Sequence, residues 1–434
     1  MSKPLCVIQG PVFNRSGYGD LATDLAKSIV RYGKYDVKIA PTRWGGCPSK
    51  TTIEELETEE DKLLSSMLIT QALQKQPDLF IQISIPNEFQ PVGKYNIGIT
   101  AGIETTAASG QFIEGLNRMN MNIVTSNHVK KVFQNAAYQK QYEDGRKELL
   151  KSEKPLEVCF WGADTSVYKK TDEKIQSLED ALSVIPEKFA FLFVGQWTHP
   201  SLYSDRKDIG NLIKTFCNAF KNRNENERPC LILKTSGVNF SKVDRDAVLS
   251  RIKAVQNEVG GNVPNVYLLH GDLKSNEMNA LLNHDKVKVH VSFTHGEGYG
   301  HPLLLASLSG KPVISSNWSG HLDFLNPKYS TFFDGVVKPI DPASVNDWLI
   351  KESSWFYVSY SLAEEKMKTF YHSYPKSAVE KAEKLREENS EKFSLQAMDV
   401  RLYEILNKYV PEFAVEKKIV LPKLKKIELP KLNK

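Results

Sequence analysis

Residues 287–304 read VKVHVSFTHGEGYGHPLL, and this stretch decides the fold class. It begins with Val287–Val291, a short valine-rich segment of the kind that forms a strand buried on both faces of a parallel sheet. A loop with three glycines follows, and Pro302 stands where the first turn of a helix is expected. A strand, a glycine-rich loop and a helix in this order predict a ligand-binding edge of an open α/β sheet.

The same alternation of strand, loop and helix runs through most of the chain in two series. The predicted strands of the first series are Leu5–Gln9, Asp36–Ala40, Leu79–Ile83, Tyr95–Ile99, Asn122–Thr125 and Glu157–Phe160, with helices at Tyr18–Tyr32 and Asn127–Ala137. The second series has predicted strands at Phe189–Val194, Cys230–Lys234, Val266–Leu269, Val287–Val291 and Pro312–Ser315, with helices at Asp208–Lys221, Val243–Val255, Ser275–Leu282 and Pro302–Ser309. Apolar strands separated by helices predict an α/β fold with two doubly wound, Rossmann-like parallel sheets that face a cleft.

The two series predict four parts of the chain. An N-terminal Rossmann-like domain is expected over residues 1–165 and a C-terminal one over residues 166–354, because 434 residues exceed one ordinary core. Residues 355–410 are predicted to be charged helices that cross back to the N-terminal domain. Residues 411–434 form a tail rich in lysine and proline, which we expect to be extended because its prolines forbid a continuous helix.

The composition excludes several classes of protein. An apolar fraction of 41% and a charged fraction of 25% are those of a globular protein, and no apolar run approaches the ~20 residues that cross a bilayer. The N-terminus lacks the pattern of a signal peptide. The five cysteines are scattered without a C-x-x-C pair, which indicates reduced buried thiols and no metal site. We therefore expect a cytoplasmic protein without a transmembrane segment.

A first glycine loop, Gly10–Gly19, lies between the first predicted strand and its helix. Gly17-Tyr18-Gly19 permits a close backbone approach, and a helix N-terminus offers free N–H groups to an anion. The loop is not the dinucleotide fingerprint, because Ala22 stands at its third glycine position. An ordinary turn and a ligand-binding loop are both compatible with this segment.

The second glycine loop, Gly296–Gly300, carries the stronger signal. Its glycines give backbone donors access to a diphosphate, and Glu297 between them is suited to hold sugar hydroxyls. A connection that is merely tight would require neither this glutamate nor so many glycines. The loop therefore indicates a binding site.

Gly296–Leu304, followed by Gly310–Ile314, resembles the G-E-G-F-G-x-P-x-L-E-A and G-x-P-V-I signature of retaining GT-B glycosyltransferases of group 1, or family 4. Other segments resemble that family in the expected order: Gly17–Gly19, Ile103–Thr106 (W-E-T-D/T), Val124–Phe133 (V-x-S-x-x-x-x-x-x-F), Trp161–Tyr168 (N-G-V-D-T-x-x-F) and Phe193–Gly195 with Arg206–Asp208 (V-G-R and R-K-G). Trp318–Leu325 is similar to a segment of glycosyltransferases from large tailed bacteriophages. The resemblance covers about residues 5–324.

The resemblance implies an N-terminal domain on the acceptor side and a C-terminal domain that binds a nucleotide-diphosphate sugar, with a UDP-sugar favoured. Arg206 and Lys207 would neutralise the diphosphate, which makes a metal unnecessary, and no covalently bound cofactor is expected. Glu297 would contact the donor sugar, and Glu104 would lie near the acceptor. The predicted donor-binding residues are Gly17, Tyr18, Gly19, Gly195, Gln196, Gly296, Gly298, Tyr299 and Gly300.

Purely structural roles remain open for these charged residues. Arg206 and Lys207 would also suit a solvated pair beside Asp205 and Asp208, and Glu104 would suit a helix cap. His128 lies near, but not at, the position of a cleft histidine in some members of the family.

The sequence departs from the family pattern at two positions. The second glutamate of the signature, which holds the nucleotide ribose, is Leu305, and the arginine of V-G-R is Gln196. These changes imply an altered donor, a compensating residue or weak nucleotide affinity.

The tail concentrates positive charge, since residues 411–434 carry seven lysines against three glutamates in a chain of net charge +5. A predicted nucleic-acid contact includes Lys417, Lys418, Lys423, Lys425, Lys426 and Lys431. The phage-like segment makes 5-hydroxymethylcytosine in DNA the expected acceptor, with lipid, polysaccharide or protein as alternatives. The tail is equally compatible with peripheral contact to an anionic membrane or with a solubilising role. Two other functions remain open: a nucleotide-sugar epimerase, and a non-catalytic module that binds a nucleotide sugar or DNA.

Overall fold

The computed structural model describes residues 3–50, 52, 55–224, 227–374 and 376–413. Two six-stranded sheets form its framework, and every strand pairing within them is parallel. Helices accompany both sheets. The predicted α/β class with two doubly wound, Rossmann-like sheets is therefore confirmed.

The first sheet has the strand order β2-β1-β3-β4-β5-β8. Its strands are β1 (Leu5–Gly10), β2 (Asp36–Pro41), β3 (Leu79–Ile83), β4 (Tyr95–Thr100), β5 (Met121–Val124) and β8 (Leu156–Val158), and β6 (Ala137–Gln141) and β7 (Lys147–Lys151) form a separate antiparallel hairpin. The helices of this part are α1 (Gly17–Tyr32), α2 (Glu59–Ser65), α3 (Gly110–Arg118) and α4 (Asn127–Asn135). The short hairpin was not predicted, because its residues are mostly exposed and polar or charged.

The second sheet has the order β11-β10-β9-β12-β13-β14, which is 3-2-1-4-5-6 when counted within the sheet, the order of dinucleotide-binding folds. Its strands are β9 (Ala190–Val194), β10 (Cys230–Lys234), β11 (Val266–Leu269), β12 (Val287–Val291), β13 (Val313–Ser316) and β14 (Thr331–Phe333). Its helices are α5 (Gln176–Ser183), α6 (Ile209–Phe220), α7 (Lys242–Val259), α8 (Ser275–Asn283) and α9 (His301–Ser307). The remaining elements are the hairpin strands β15 (Gly335–Pro339) and β16 (Ser354–Val358) and the helices α10 (Tyr360–Ser373), α11 (Lys376–Lys392) and α12 (Leu395–Tyr409).

Helix α1 illustrates why these segments fold as they do. The Ser16 hydroxyl accepts a hydrogen bond from the Gly19 N–H and caps the first turn. The helix buries a stripe that includes Leu21, Leu25 and Ile29, as the 3.6-residue period requires. It ends at Gly33, whose φ of 72° lies in the left-handed region that glycine tolerates best.

Strand β16 contradicts the prediction of helix from residue 355 onward. Residues 354–358 form an antiparallel pairing with β15, and Trp355, Phe356 and Val358 are buried. Aromatic and β-branched residues fit such a pleated, half-buried surface better than a helix. The helices predicted for this part of the chain begin at Tyr360.

The last helix packs against the first part of the chain. The Arg31 guanidinium pairs with Asp399, the Tyr403 hydroxyl donates to the Ser28 carbonyl, and the rings of Tyr32 and Tyr403 stack 4.4 Å apart. The boundaries proposed at residues 165 and 354 stay predictions.

Residues 161–163, which follow the first sheet, are held by the segment that precedes α12. The Ala163 N–H donates to the Phe393 carbonyl, and the Leu395 N–H donates to the Ala163 carbonyl, both at 2.8 Å. A Cβ at Gly162 would lie 2.4 Å from the Ser394 carbonyl oxygen, so this approach requires glycine. The connection to the second sheet therefore packs against a segment more than two hundred residues later.

Two further predictions concern membranes and the tail. None of the described helices is long and apolar enough to cross a membrane. The predicted contact lysines of the tail, Lys417, Lys418, Lys423, Lys425, Lys426 and Lys431, lie outside the described residues.

Candidate active site

The residues predicted to bind the diphosphate and the sugar form one ionic cluster at the carboxyl edge of the second sheet. Arg206 and Lys207 lie in the loop between β9 and α6, and Glu297 lies in the loop after β12. The Lys207 ammonium contacts one oxygen of the Glu297 carboxylate, and Arg206 Nη1 lies 3.1 Å from the other oxygen. Arg206 Nη1 also donates to the Gly296 carbonyl at 2.6 Å. We call Arg206, Lys207 and Glu297 the ionic cluster.

Burial strengthens the attraction between the opposite charges of the ionic cluster. The side chains of Glu297 and Lys207 are only 8% and 13% exposed. Burial alone would raise the pKa of Glu297, but the charges of Lys207 and Arg206 outweigh it and lower this pKa from 4.5 to about 2. Burial lowers the pKa of Lys207, and the neighbouring carboxylate opposes that shift. Glu297 is therefore ionised at neutral pH and paired with two cations.

Glu104 approaches the ionic cluster from the first sheet. Its carboxylate oxygen lies 3.6 Å from Arg206 Nε, and its side chain is 29% exposed. The helix-cap alternative is wrong, because Ser109 caps α3, the next helix along the chain. The solvated-pair alternative for Arg206 and Lys207 is likewise wrong, since both cations pair with carboxylates in a largely buried setting.

The glycines of the second loop let the two sheets approach each other. A Cβ at Gly296 would lie 2.0 Å from the Glu104 carbonyl oxygen, and one at Gly298 would lie 2.1 Å from that of Ala101. The Ser126 hydroxyl, which caps α4, donates to the Gly298 carbonyl at 2.6 Å. The carboxyl edges of the two sheets therefore meet beside the ionic cluster.

The rest of the second loop has other roles. Gly300 precedes α9 with a φ of 92°, a left-handed conformation. The predicted donor-binding Tyr299 is only 3% exposed, and its ring packs 5.1 Å from that of Phe324 within the hydrophobic core. Among the described residues, the buried Tyr299 hydroxyl has no hydrogen-bond partner.

The first glycine loop is built differently. Gly17 has open space where a Cβ would stand, whereas a Cβ at Gly19 would lie 1.9 Å from the Asn14 carbonyl oxygen in the same loop. The Tyr18 hydroxyl lies 2.9 Å from the Thr100 hydroxyl and accepts a hydrogen bond from the Ala101 N–H at 3.1 Å. Tyr18 therefore joins the first loop to the end of β4, which is the segment that Gly298 contacts.

Gly195 and Gln196 follow β9 beside the cations. A Cβ at Gly195 would lie 2.9 Å from Phe193 Cζ, so the glycine makes room for the phenylalanine ring, and 3.6 Å from Lys207 Cε, an ordinary contact. The Gln196 side chain hydrogen-bonds to the Cys47 thiol, which belongs to a loop after β2. Leu305, which replaces the ribose-binding glutamate, is partly buried against the hydrophobic core.

A buried layer behind the cations was not predicted from the sequence. Asp208 precedes α6 with a left-handed φ of 53°, and its carboxylate accepts hydrogen bonds from Tyr360 and Asn211 at 2.8 and 2.7 Å. The imidazole of His295 lies 3.8 Å from the same carboxylate. The backbone N–H of His295 donates to the Arg206 carbonyl at 2.8 Å. This layer fixes the cation loop against the second glycine loop. The available signal was that Asp208 stands at the glycine of R-K-G.

His128 lies outside the ionic cluster. Its ring meets the Trp318 ring edge-on at 4.8 Å, and burial lowers the pKa of His128 to about 4. Its Nε2 is buried without a hydrogen-bond partner among the described residues.

In the part of the chain that the structure describes, no group of three or more His, Cys, Asp or Glu residues is placed to hold a metal ion. The expectation that no metal is required stays a prediction.

Solved structures match the structure of this protein, whereas no family model and no curated protein matches its sequence. The structure of HepE from Anabaena in complex with UDP and glucose matches with a TM-score of 0.58 and 13% identity, over 93% of this chain and 100% of that chain. A glycosyltransferase from Rickettsia africae matches with 0.59 and 14%, over 94% and 99%. Sucrose-phosphate synthase from Thermosynechococcus elongatus matches with 0.59 and 12%, over 94% and 98%.

These matches cover almost the whole of each chain, so the arrangement of both sheets is shared. The protein therefore has the GT-B fold that the sequence motifs predicted. At identities of 12–14% the similarity establishes the fold alone.

Proposed function

We propose that the protein is a glycosyltransferase that moves a sugar from a nucleotide-diphosphate sugar to a hydroxyl group of an acceptor. The observation that supports this best is the ionic cluster, in which two cations and a carboxylate meet between the two sheets. HepE, which has the same fold, is described in complexes with UDP and with UDP-glucose. We therefore favour a UDP-sugar as the donor.

Each residue of the ionic cluster has a role in this proposal. Arg206 and Lys207 neutralise the negative charge that grows on the diphosphate as the glycosidic bond breaks, a task that a bound cation performs in other phosphate chemistry. Glu297 holds hydroxyls of the donor sugar, and Glu104 lies on the acceptor side. Gly195, Gln196 and the two glycine loops line the donor site, and no metal is required.

We further propose that transfer retains the anomeric configuration. This proposal rests on the resemblance of the second glycine loop to retaining GT-B glycosyltransferases. A double displacement also retains the configuration but needs a free carboxylate as nucleophile, and Glu297 and Glu104 are both engaged by cations. The leaving phosphate then takes the proton of the attacking hydroxyl. Nuclear magnetic resonance of the product gives the anomeric configuration, and inversion would contradict this step.

The proposed acceptor is 5-hydroxymethylcytosine in phage-type DNA, with the lysines of residues 411–434 attracting the phosphates. It rests on the resemblance of Trp318–Leu325 and on the tail charge. Lipid, polysaccharide and protein remain alternative acceptors, and a membrane remains an alternative surface for the tail. We place the protein in the cytoplasm, which is that of the host if a phage encodes it.

The decisive experiment is mass spectrometry of hydroxymethylated DNA after incubation with the protein and a mixture of UDP-sugars. A defined mass increment identifies sugar and acceptor together, and unmodified DNA is the matched control because it lacks the hydroxyl. Lys207→Ala should abolish transfer without unfolding the protein. Lys214→Ala, in an exposed ion pair on α6, should leave transfer unchanged. Equal turnover by wild type and Lys207→Ala would refute the site.

The same reagents distinguish two other functions from glycosyl transfer. An epimerase would convert the UDP-sugar to an isomer without any acceptor. A non-catalytic module would bind the nucleotide sugar or DNA and never incorporate sugar from any donor in the panel. Removing residues 411–434 should weaken DNA binding and flatten its salt dependence, and unchanged affinity would exclude the tail from DNA recognition.

A further inference from the structure

Together with Glu104, the three residues of the ionic cluster make two cations and two carboxylates. Glu297 contacts both Lys207 and Arg206, and Glu104 lies 3.6 Å from Arg206 Nε. The charges of these four side chains therefore sum to zero. Lys207 and Arg206 already hold a partner from within the protein, and a diphosphate that approaches them meets the negative charge of Glu297 at close range.

The surroundings of Glu297 fix its backbone on both sides, whereas its carboxylate is held by the two cations. The Glu297 N–H donates to the Ser319 hydroxyl at 2.8 Å, and the Gly320 N–H donates to the Glu297 carbonyl at 2.9 Å. A Cβ at Gly300 would lie 3.0 Å from His321 Cβ and 3.3 Å from Glu297 Cγ, so glycine spares the stem of the Glu297 side chain a close contact. An exchange of partners by the carboxylate would therefore involve rotation of the side chain, while the loop stays in place.

We propose that Glu297 makes the site discriminate between a sugar nucleotide and the bare nucleoside diphosphate, because it competes with the diphosphate for Lys207 and Arg206. A donor sugar supplies hydroxyl groups that donate to the carboxylate as the two cations turn to the phosphates. A nucleoside diphosphate has no such hydroxyls beside its terminal phosphate, so the ionised carboxylate stays next to phosphate oxygens and repels them. This inference rests on the proposed function.

The consequence for the reaction concerns the order of binding and release. Before transfer the sugar hydroxyls satisfy Glu297, and the site holds the donor. After transfer the sugar has left with the acceptor, Glu297 returns to the cations, and the nucleoside diphosphate is displaced. Glu297 is thus a specificity-determining residue that favours substrate over product. A residue that only touched the sugar would have no effect on the affinity for UDP.

The test measures the dissociation constants of UDP and UDP-glucose by titration calorimetry in wild type, Glu297→Gln and Glu104→Gln. We expect Glu297→Gln to bind UDP about 10-fold more tightly and UDP-glucose no more tightly, so the preference for the sugar nucleotide shrinks about 10-fold. Glu104→Gln is the matched control, since it removes the same charge from a more exposed carboxylate that pairs with Arg206 alone. Its preference for UDP-glucose over UDP should match that of wild type.

Weaker UDP binding by Glu297→Gln, or an unchanged preference, would overturn the inference. Glu297→Asp keeps the charge and should keep the wild-type preference, which guards against a variant that merely folds poorly. Thermal unfolding gives a second readout, because UDP should raise the Tm of Glu297→Gln more than that of wild type. If the wild-type protein binds neither UDP nor UDP-glucose, the proposed function itself fails. That result is distinct from binding of both ligands with the wrong order of affinities.

Discussion

The two glycine loops resemble each other in sequence, but their glycines make different contacts in the structure. Both follow a parallel strand and lead into a helix. In the first loop the close contact is internal, between Gly19 and the Asn14 carbonyl. In the second loop Gly296 and Gly298 face the backbone of the other sheet, at Glu104 and Ala101. Glycine spacing alone therefore does not reveal whether a loop meets a ligand, itself or another part of the chain.

The difference has a physical basis in what each loop adjoins. The first loop folds back on itself, bonds through its backbone to Pro48 and Lys50, and reaches the end of β4 through the Tyr18 side chain. The second loop reaches the same segment through its backbone, and it carries Glu297 of the ionic cluster. Side-chain contact tolerates some displacement, whereas backbone contact at van der Waals distance does not.

The largest effect is expected from Gly298→Ala. The added methyl group would lie 2.1 Å from the Ala101 carbonyl oxygen, so the two sheet edges must separate. We expect a loss of about 1–3 kcal/mol in the free energy of unfolding, and a fall in transfer rate of about 100-fold from misplacement at the site. Urea unfolding and initial rates measure both, and small-angle scattering reports any separation. Wild-type rates in this variant would show that the close contact is not needed for transfer.

The next effect concerns the charge that only the second loop carries. The pKa of Glu297 is lowered from 4.5 to about 2, so the group contributes stability that is present above pH 4.5 and is lost as the pH falls through 2. A shift of this size corresponds to about 3 kcal/mol. Wild type should exceed Glu297→Gln in stability at pH 7, and the difference should shrink below pH 4.5 in urea unfolding. A difference that stays constant down to pH 2.5 would contradict the shift.

A smaller effect is expected from Tyr18→Phe in the first loop. The change removes the hydroxyl that accepts from the Ala101 N–H and contacts Thr100, which costs about 1–2 kcal/mol of stability. Tyr32→Phe is the matched control, because its hydroxyl bonds to Asn407 at the exposed surface and should contribute less. Equal losses of stability in the two variants would show that the Tyr18 hydroxyl, which links the first loop to β4, contributes no more than an exposed one.

The smallest effect is expected from Gly17→Ala. No atom lies within 4 Å of the position of the new Cβ, and the residue is the first of helix α1, where alanine is favourable. Stability should change by less than about 0.5 kcal/mol. If Gly17→Ala nevertheless weakens UDP binding, the first loop approaches the donor closely, as the resemblance implies. Calorimetry with UDP decides this.

Most of the fold could be predicted because buried parallel strands are nearly continuous apolar runs. The predicted strand Val287–Val291 agrees with β12 in both bounds, and Cys230–Lys234 agrees with β10. The two hairpins were missed for a physical reason. Strand β7 reads KELLK and strand β15 is exposed throughout, so neither shows the alternation that marks a half-buried strand.

The candidate site was predictable only in part. Arg206, Lys207 and Glu297 were found because their motifs resemble a known family. The Asp208 layer was not found, although Asp208 stands at the glycine of R-K-G, because its partner Tyr360 lies 152 residues away and belongs to no recognisable pattern. The contacts of Gly296 and Gly298 with the first sheet likewise depend on how the sheets meet, and local sequence does not encode that arrangement.

The docking of helix α12 on α1 has a consequence for how the protein is made. The Arg31 side chain of α1 pairs with Asp399, and the Tyr32 ring stacks on that of Tyr403. The backbone of residues 393–395 hydrogen-bonds to that of Ala163. On a ribosome the first sheet emerges long before these partners are translated. Its outer surface therefore stays uncovered for most of synthesis, and nascent chains that stop before residue 395 should be the preferred clients of chaperones.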